Sequence, residues 1–291
     1  MDKLIRKAEV LIEALPYMQK FQGSIVVVKF GGSAMEDPAV TAKTMRDIVL
    51  LHAIGIKVVV VHGGGKAISA KLKELGVQSK FFNGLRITDG ETIKVVDDVL
   101  HNLTNKALVD AIKECDGKGV SISGKSIMRA EKLFSEDPET REKVDIGFVG
   151  KVLAVNVNPI LDALEYGFIP VITPLAVDFF GQPYNVNADT AACEIAKALK
   201  AEKLVFLSDV PGVLKDPADE KTLISQIHIA EVPRLIEEKI LSGGMLPKIR
   251  SCVEALEAGA SKVHMIDGRI PHSLLLEIFT EKGVGTAILK D

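Results

Sequence analysis

The chain has 291 residues, of which 47% are apolar and 26% are charged, and its 36 basic and 39 acidic side chains give a formal net charge of −3. This length suits one or two domains, and the apolar fraction is enough for a sizeable core, which excludes a disordered chain. The balanced charge excludes bulk nucleic-acid binding, no apolar run approaches the roughly 18 residues of a transmembrane helix, and the charged N-terminus is unlike a signal peptide. Cys115, Cys193 and Cys252 are too few and too widely spaced for a disulfide framework or a zinc site. We therefore expect a reduced, cytoplasmic, metal-poor protein with neither a membrane nor a nucleic-acid partner.

The first twenty residues predict a helix that precedes the regular part of the fold. Its apolar residues recur at helical spacing and form one stripe, made of Leu4, Ile5, Ala8, Leu11, Ile12 and Leu15. Pro16 is expected to kink or interrupt this helix, and Gly23 separates it from the segment that follows. From the pattern alone, the stripe suits packing on its own subunit as well as packing on a partner.

From residue 24 onward, short apolar strands alternate with helices, which is typical of a mainly parallel sheet covered on both faces. The predicted strands are 24–29, 57–61, 120–123, 127–130, 146–155, 168–173, 203–208, 262–266 and 286–289. The predicted helices are 38–54, 66–75, 91–114, 159–166, 188–199, 230–241, 246–258 and 273–280. We expect one continuous α/β unit that a break near residue 180 divides into two lobes.

One segment, 119–126, matches the P-loop pattern G-x-x-x-x-G-K-[ST] letter for letter. A P-loop requires a buried strand directly before the first glycine. Here a charged helix end precedes Gly119, and the variable positions 120–123 themselves read as a strand. We therefore interpret the segment as a strand followed by a turn at Gly124 and Lys125.

Two other glycine clusters, 29–33 and 62–65, each follow a predicted buried strand. Ligands of open α/β sheets bind outside the carboxyl ends of the strands, where glycine N–H groups approach phosphate or carboxylate oxygens. Lys29 ends its strand and either extends to solvent or faces this crevice, and the flanking glycines favour the crevice. The pair of clusters favours an anion site over plain tight turns, and neither gives the G-x-G-x-x-G pattern of a nicotinamide site.

Three later segments carry polar groups that suit an anionic ligand. Arg86 lies in the polar loop 83–89, and its guanidinium suits a two-pronged grip on a carboxylate, although an ordinary surface arginine is the commoner case. One of Asn185, Asn187 and Asp189 can cap the next helix, which leaves two polar side chains unexplained. Lys248 follows the glycine-rich turn 242–244 early in a helix, where the dipole disfavours a cation unless an anion is bound.

Six motifs of this chain resemble those of the N-acetylglutamate kinases, within the amino-acid kinase family. In chain order they are VVVKFGGSAM, VVVVHGGGKAIS, FFNGLRITD, PYNVNADTAA, LSDVPGVL and GGMLPKI. The resemblance covers residues 24–289. It implies a three-layer αβα sandwich with a mainly parallel central sheet, in which residues 1–22 form an interlocking N-terminal helix. Residues 23–180 would then form the amino-acid-substrate lobe and residues 181–291 the nucleotide-binding lobe. The activity implied is phosphorylation of the side-chain carboxylate of N-acetyl-L-glutamate by ATP with Mg²⁺, in arginine biosynthesis.

The resemblance also implies roles for individual residues. Lys29 and Lys248 match lysines that stabilise the transferring phosphoryl group, and Asp189 matches the aspartate that positions them. The implied substrate contacts are the backbone N–H groups of Gly31, Gly32, Gly64 and Gly65 and the side chains of Arg86 and Asn185. The implied adenine-nucleotide contacts are Ser208, Asp209, Val210, Pro211, Gly212, Val213, Ile240, Leu241 and Ser242. No protein ligand for Mg²⁺ is assigned.

The chemistry of the acceptor agrees with this assignment. A glutamate side chain has an ordinary pKa of about 4.3, so its carboxylate is ionised at neutral pH and needs no general base. The difficulty is repulsion between an anionic acceptor and anionic ATP, which two lysines, glycine N–H groups and Mg²⁺ reduce. The Mg²⁺ is expected mainly on phosphate oxygens and water.

Two other functions stay open at this point. The first is a kinase of the same fold that acts on glutamate, aspartate, carbamate or a nucleoside monophosphate, although Arg86 in NGLRITD favours the acetylated amino acid. The second is a non-catalytic amino-acid sensor, which the intact Lys29, Asp189 and Lys248 disfavour.

The N-terminal helix adds an expectation about regulation. Arginine-inhibited members of the family carry such a helix, which interlocks dimers into a ring-shaped hexamer, a trimer of dimers. They bind L-arginine between that helix and the C-terminal lobe. The corresponding residues here are Tyr17, Lys215, His264, Glu277 and Gly283. Some members also bind a PII-type signalling protein, and the sequence does not decide whether this chain does.

Overall fold

The computed structural model describes residues 1–137, 140–243, 245–280 and 283–290, with the side chains of Lys3, Lys7, Ser33 and Pro247 left aside. Gly244 of the predicted glycine-rich turn therefore lies outside the described residues. The elements up to residue 136 are α1 (Asp2–Phe21), β1 (Ile25–Phe30), α2 (Pro38–Ala53), β2 (Lys57–His62), α3 (Gly65–Glu74), β3 (Phe81–Phe82), β4 (Leu85–Arg86), α4 (Gly90–Asp98), α5 (Lys106–Glu114), β5 (Gly119–Ile122), α6 (Gly124–Ile127) and β6 (Met128–Glu136). The later elements are β7 (Lys143–Val155), α7 (Asn158–Glu165), β8 (Ile169–Ile172), β9 (Leu175–Val177), β10 (Pro183–Asn185), α8 (Ala188–Leu199), β11 (Lys203–Ser208), β12 (Gln226–His228), α9 (Val232–Glu237), α10 (Met245–Glu257), β13 (Lys262–Asp267), α11 (Ser273–Phe279) and β14 (Thr286–Leu289).

The central sheet has eight strands in the order β12-β14-β13-β11-β1-β2-β8-β5, and only the β13–β14 pair within it is antiparallel. β1 lies in the middle, where Lys29 is in register with Val61 of β2 and with Phe206 of β11. The two halves of the sequence therefore meet at the β1–β11 pair. Strands β6, β7, β9 and β10 form a second, smaller sheet.

Two buried layers cover the central sheet, as predicted for an αβα sandwich. Val26 and Val28 of β1 pack into an apolar cluster with Ile48 of α2, whereas Val27 packs into another with Ala192 of α8. Successive strand residues point to opposite faces, and both faces are fully covered, so β1 is apolar at every position from 25 to 28.

Helix α1 differs from its prediction at Pro16. The helix runs unbroken from Asp2 to Phe21 and includes Pro16. Proline removes the bond to the carbonyl of residue 12, and because Ile12 is 68% exposed, water can satisfy that carbonyl. The predicted stripe is exposed on this chain, with Leu4, Ile5, Leu11, Ile12 and Leu15 each at least 44% accessible.

Three predicted elements are wrong in detail. The turn predicted at Gly124 and Lys125 is instead the short helix α6, which connects β5 of the central sheet to β6 of the small sheet. The helix predicted over 91–114 contains a π-helical segment, Val99–Asn105, between α4 and α5. The helix predicted over 230–241 ends at Glu237, and Lys239 there has a φ of +60° that a helix cannot continue through.

The structure also contains short strands that the sequence did not predict, namely β3, β4, β9, β10 and β12. None has more than three residues, which is too short for an alternating pattern to stand out. In the described part of the chain, no helix is long and apolar enough to cross a bilayer.

Candidate active site

The two glycine clusters come together because β1 and β2 are parallel neighbours. The Gly63 N–H donates to the Phe30 carbonyl at 2.8 Å and so joins the turn after β2 to the end of β1. Gly64 faces Leu100 of the π-helical segment so closely that a Cβ at this position would lie 2.5 Å from Leu100 Cδ2. Gly64 thus leaves room for the turn to pack on that segment.

A charged cluster lies beside these turns. Asp189, in the first turn of α8, places Oδ1 2.8 Å from the Lys29 Nζ and Oδ2 3.3 Å from the Lys248 Nζ. The side chain of Asp189 is 14% exposed, that of Lys29 10% and that of Lys248 30%. Burial raises the pKa of Asp189, but the two lysines outweigh it and the net pKa is lowered. Asp189 is therefore an ionised carboxylate held between two cations.

The predicted helix cap is Asn187. Its Oδ1 accepts hydrogen bonds from the N–H groups of Asp189 and Thr190 at the start of α8. With the cap supplied by Asn187, the Asp189 side chain is free to pair with the lysines.

A cavity of about 620 Å³ connects these groups. Its walls include Lys29, Gly32, Gly64, Gly65, Arg86, Asn185 and Asp189. Gly31 is buried next to Lys29, and Lys248 reaches the cavity only through Asp189. Asn185 donates to the Thr88 hydroxyl at 3.3 Å, and Thr88 in turn donates to the Arg86 carbonyl. The predicted catalytic and substrate-binding residues therefore meet at one place.

Arg86 lies on β4 and is buried, whereas the sequence suggested a loop position. One Nη1 proton bonds the Ser79 hydroxyl at 2.7 Å, and Nη2 donates to the Gly65 carbonyl at 2.7 Å and to the Ser69 hydroxyl at 2.8 Å. Its guanidinium also lies 4.7 Å from the centre of the Phe81 ring, and burial lowers its pKa. Because both Nη2 protons are taken, a two-pronged grip on a carboxylate requires Arg86 to exchange one of these bonds.

The predicted nucleotide segment lies at the carboxyl end of β11, next to the glycine turn after β1. A Cβ on Gly32 would lie 3.8 Å from the Asp209 carboxylate. Ser208 is buried and its hydroxyl lies 3.1 Å from the Val210 carbonyl. Val213 and Leu241 are core residues of one apolar cluster, while Asp209 and Ser242 are exposed.

The sequence did not assign several residues that the structure places in or under the site. Glu36 and Lys66 form an ion pair, and both line the cavity. His62 and Asn105 are fully buried beneath the glycine turn. Lys66 directly follows the glycines, which was an available signal. Asn105 is 43 residues from His62, and nothing local in the sequence marks it.

A second cavity of about 660 Å³ lies at the other end of the sheet, where β11 and β13 begin. It brings together Tyr17, His264, Glu277 and Gly283, while Lys215 is not among the described residues that line it. His264 Nδ1 lies 2.5 Å from the Glu277 carboxylate. Burial raises the pKa of Glu277, but His264 and the Val284 N–H outweigh burial and lower it overall.

Gly283 packs directly against the Glu277 carboxylate. It has a φ of +61°, and a Cβ there would lie 2.6 Å from Glu277 Oε2. Glycine satisfies both the left-handed backbone and the close approach.

Comparison with known proteins gives consistent relatives. A model of the amino acid kinase family matches residues 24–267. The acetylglutamate kinase of Heliobacterium modesticaldum is 48% identical over 295 residues, covering 100% of both chains. Two structures of N-acetylglutamate synthase from Neisseria gonorrhoeae each match 98% of this chain. The complex with coenzyme A and N-acetyl-glutamate has a TM-score of 0.84 at 26% identity. The complex with coenzyme A and L-arginine has a TM-score of 0.81 at 25% identity. This chain spans 63% and 65% of those synthase chains.

Proposed function

This chain belongs to the amino acid kinase family, and from that premise we propose that it phosphorylates the side-chain carboxylate of N-acetyl-L-glutamate with ATP, in arginine biosynthesis. The observation that carries the proposal is the Lys29–Asp189–Lys248 cluster on a cavity that also holds Arg86. The cluster suits a transferring phosphoryl group, and Arg86 suits a carboxylate of the acceptor.

In the proposed reaction, an acceptor carboxylate oxygen attacks the γ-phosphorus of ATP. A bond forms between that oxygen and phosphorus, the bond from phosphorus to the β–γ bridging oxygen breaks, and ADP leaves with the electron pair. The acceptor is already ionised, so no proton is removed. Catalysis then consists of positioning and charge neutralisation, which are the tasks of Lys29, Lys248 and the glycine N–H groups.

Asp189 is suited to hold the lysines and not to act as a base. Its lowered pKa and its contacts with both ammonium groups leave it a weak proton acceptor. By holding the two ammonium groups within 3.3 Å of one carboxylate, it keeps both aimed at one point before substrate binds.

Mg²⁺ fits the site as a part of the ATP substrate. Among the described residues, no group of three or more His, Cys, Asp or Glu side chains is arranged to hold a metal ion. Mg²⁺ commonly binds phosphate oxygens and waters with few protein ligands, and bound there it would neutralise charge on the phosphates.

An ADP-release assay tests the proposal directly. ATP is offered with N-acetyl-L-glutamate, and in parallel with glutamate, aspartate, carbamate or a nucleoside monophosphate. The acyl phosphate is trapped with hydroxylamine, so that product formation is separated from idle ATP hydrolysis. If only another acceptor is turned over, that acceptor is the substrate in place of N-acetyl-L-glutamate. If no acceptor is turned over, the result favours the amino-acid sensor.

We also propose that the protein is a hexamer, a trimer of dimers, inhibited by L-arginine at the second cavity. Two observations support this. Glu277 offers a buried carboxylate to a cation beside Tyr17 of α1, and the apolar stripe of α1 is exposed on this chain. A large exposed apolar stripe is typical of an interaction surface, and in this proposal another copy of the chain covers it. Lys215 is left out of the proposed site because it does not line this cavity.

A further inference from the structure

His62 is the last residue of β2 and the first of the glycine cluster, and it is completely buried. Its Nδ1 lies 2.8 Å from the carbonyl oxygen of Gly63, the next residue. Its Nε2 lies 3.1 Å from Nδ2 of Asn105, at the end of the π-helical segment. The same Asn105 Nδ2 donates to the Val171 carbonyl of β8 at 2.9 Å.

The two ends of this chain of hydrogen bonds fix where the protons lie. The Val171 carbonyl can only accept, so Asn105 must turn its NH₂ group towards it. The second proton of that NH₂ group then points at His62 Nε2, which must accept. His62 therefore carries its proton on Nδ1 and donates it to the Gly63 carbonyl, which also can only accept. The network needs a neutral imidazole in one tautomer.

This bond sets the direction of the Gly63–Gly64 peptide. In a trans peptide the C=O and the following N–H point in opposite directions. With the Gly63 carbonyl held by His62, the Gly64 N–H points away from the buried imidazole, and Gly64 lines the active-site cavity. That N–H takes none of the hydrogen bonds formed between described residues. A flipped peptide would instead present a carbonyl oxygen to an anionic substrate.

We propose that His62, oriented by Asn105, is a positioning residue that aims the Gly64 N–H at the transferring phosphoryl group. The inference rests on the proposed phosphoryl transfer, and it adds a cause for the orientation of one donor. Glycine alone cannot supply that orientation, because glycine peptides flip easily. The buried side chain behind the turn removes this freedom.

The surroundings of His62 keep it neutral. Burial, with a smaller contribution from the charge of His101, lowers its pKa to about 4, even though the bond to Gly63 acts in the opposite direction. A protonated ring would carry a proton on Nε2 as well, which would clash with the Asn105 NH₂ group.

Two substitutions of similar polarity separate orientation from packing. In His62→Asn, the side-chain NH₂ group lies two bonds from Cβ, the same number as Nδ1 of the histidine. The variant therefore keeps a donor to the Gly63 carbonyl. In His62→Gln, the amide reaches the position of Nε2, and the donor to Gly63 is lost. We expect His62→Asn to keep kcat within about threefold, and His62→Gln to lower it at least about tenfold with both KM values little changed; complete loss of one such donor costs about 10²–10³.

His52 provides the matched control. It is half-buried, and its Nε2 makes a comparable 3.1 Å contact with the Gly167 carbonyl, away from the cavity. His52→Asn and His52→Gln should both leave kcat unchanged. Equal kcat values for the two His62 variants, or a larger loss in His62→Asn, would overturn the proposal.

The second readout does not depend on activity or on a variant folding. Imidazole ¹⁵N shifts of the wild-type protein should show His62 as the neutral Nδ1–H tautomer from pH 6 to pH 8. An Nε2–H or cationic ring would refute the network even if the enzyme is active. Conversely, wild-type protein that shows this tautomer but never phosphorylates N-acetyl-L-glutamate would refute the proposed function and leave the hydrogen-bond assignment standing.

Discussion

Truncation of Lys248 to alanine removes one of the two cations proposed to neutralise the transferring phosphoryl group. Loss of such a donor typically lowers kcat by about 10²–10³, equivalent to about 3–4 kcal/mol of transition-state stabilisation. The structure predicts that folding is barely affected. Lys248 is 30% exposed, and without it Asp189 keeps its closer contact with Lys29 at 2.8 Å. We expect the free energy of unfolding to fall by no more than about 1 kcal/mol.

Lys29→Ala should lower the free energy of unfolding more than Lys248→Ala does. The Lys29 side chain is only 10% exposed, and its removal leaves Asp189 buried with the longer, 3.3 Å contact. Removing one partner of a buried pair costs about 3–5 kcal/mol, and the remaining lysine places the expected loss near the lower end. Both variants should lose turnover, but only Lys29→Ala should also lose substantial stability.

Steady-state ADP release and urea unfolding measure these two effects. Lys125→Ala is the matched control, since Lys125 pairs with Asp97 at similar exposure, 35% and 29%, and does not line the cavity. It should change neither kcat nor KM. Near-normal turnover of Lys248→Ala would refute the catalytic role, and a loss of turnover in Lys125→Ala would show that the assay responds to general disturbance.

Arg86→Lys should raise the KM for N-acetyl-L-glutamate far more than that for ATP, because a lysine keeps the charge but loses the planar, two-pronged donor geometry that suits a carboxylate; a defect mainly in ATP binding would remove Arg86 from the acceptor site. Deletion of residues 1–20 should give active dimers with much weaker arginine inhibition, since it removes the exposed stripe and Tyr17; sedimentation and an arginine titration would contradict this if the truncated form stays hexameric and equally inhibited. His62 should make stability fall on acidification, because its folded pKa of about 4 lies below the ordinary 6.5, so the unfolded state takes up the proton first. That contribution to the free energy of unfolding is complete above pH 6.5, falls as the pH drops towards 4, and amounts to about 3 kcal/mol. In urea unfolding between pH 7 and 4, the free energy of unfolding of His62→Gln should therefore depend less steeply on pH than that of the wild type. An equally steep dependence would disprove this prediction.

The sequence predicted β1 and β2 well because each is a mainly apolar run that glycines follow directly. β1 and β2 were found within one residue at each end for that reason. Prediction failed where the effect of one residue depends on its surroundings in the fold. Pro16 did not break α1 because the carbonyl it frees is in water, and Lys239 ended α9 through a left-handed backbone that nothing nearby announces.

For the site, individual residues could be predicted from the sequence, but most of the contacts between them could not. Lys29, Asp189 and Lys248 each stood out locally as a polar group near a strand end or a helix start. Their meeting within 3.3 Å depends on strand order and helix packing, and it was anticipated only through the family resemblance. The His62–Asn105 contact was missed altogether, because a buried histidine reads locally like any core residue.

The two cavities lie at opposite ends of the same strands. Lys203 and Lys262 line the second cavity at the first residues of β11 and β13, whereas Lys29, near the last residue of the neighbouring parallel strand β1, lines the first. Six residues of strand span roughly 20 Å, so occupants of the two cavities cannot collide. Neither occupant therefore excludes the other by direct steric competition. Any influence between them is then a thermodynamic linkage, in which each ligand changes the binding constant of the other by the same factor.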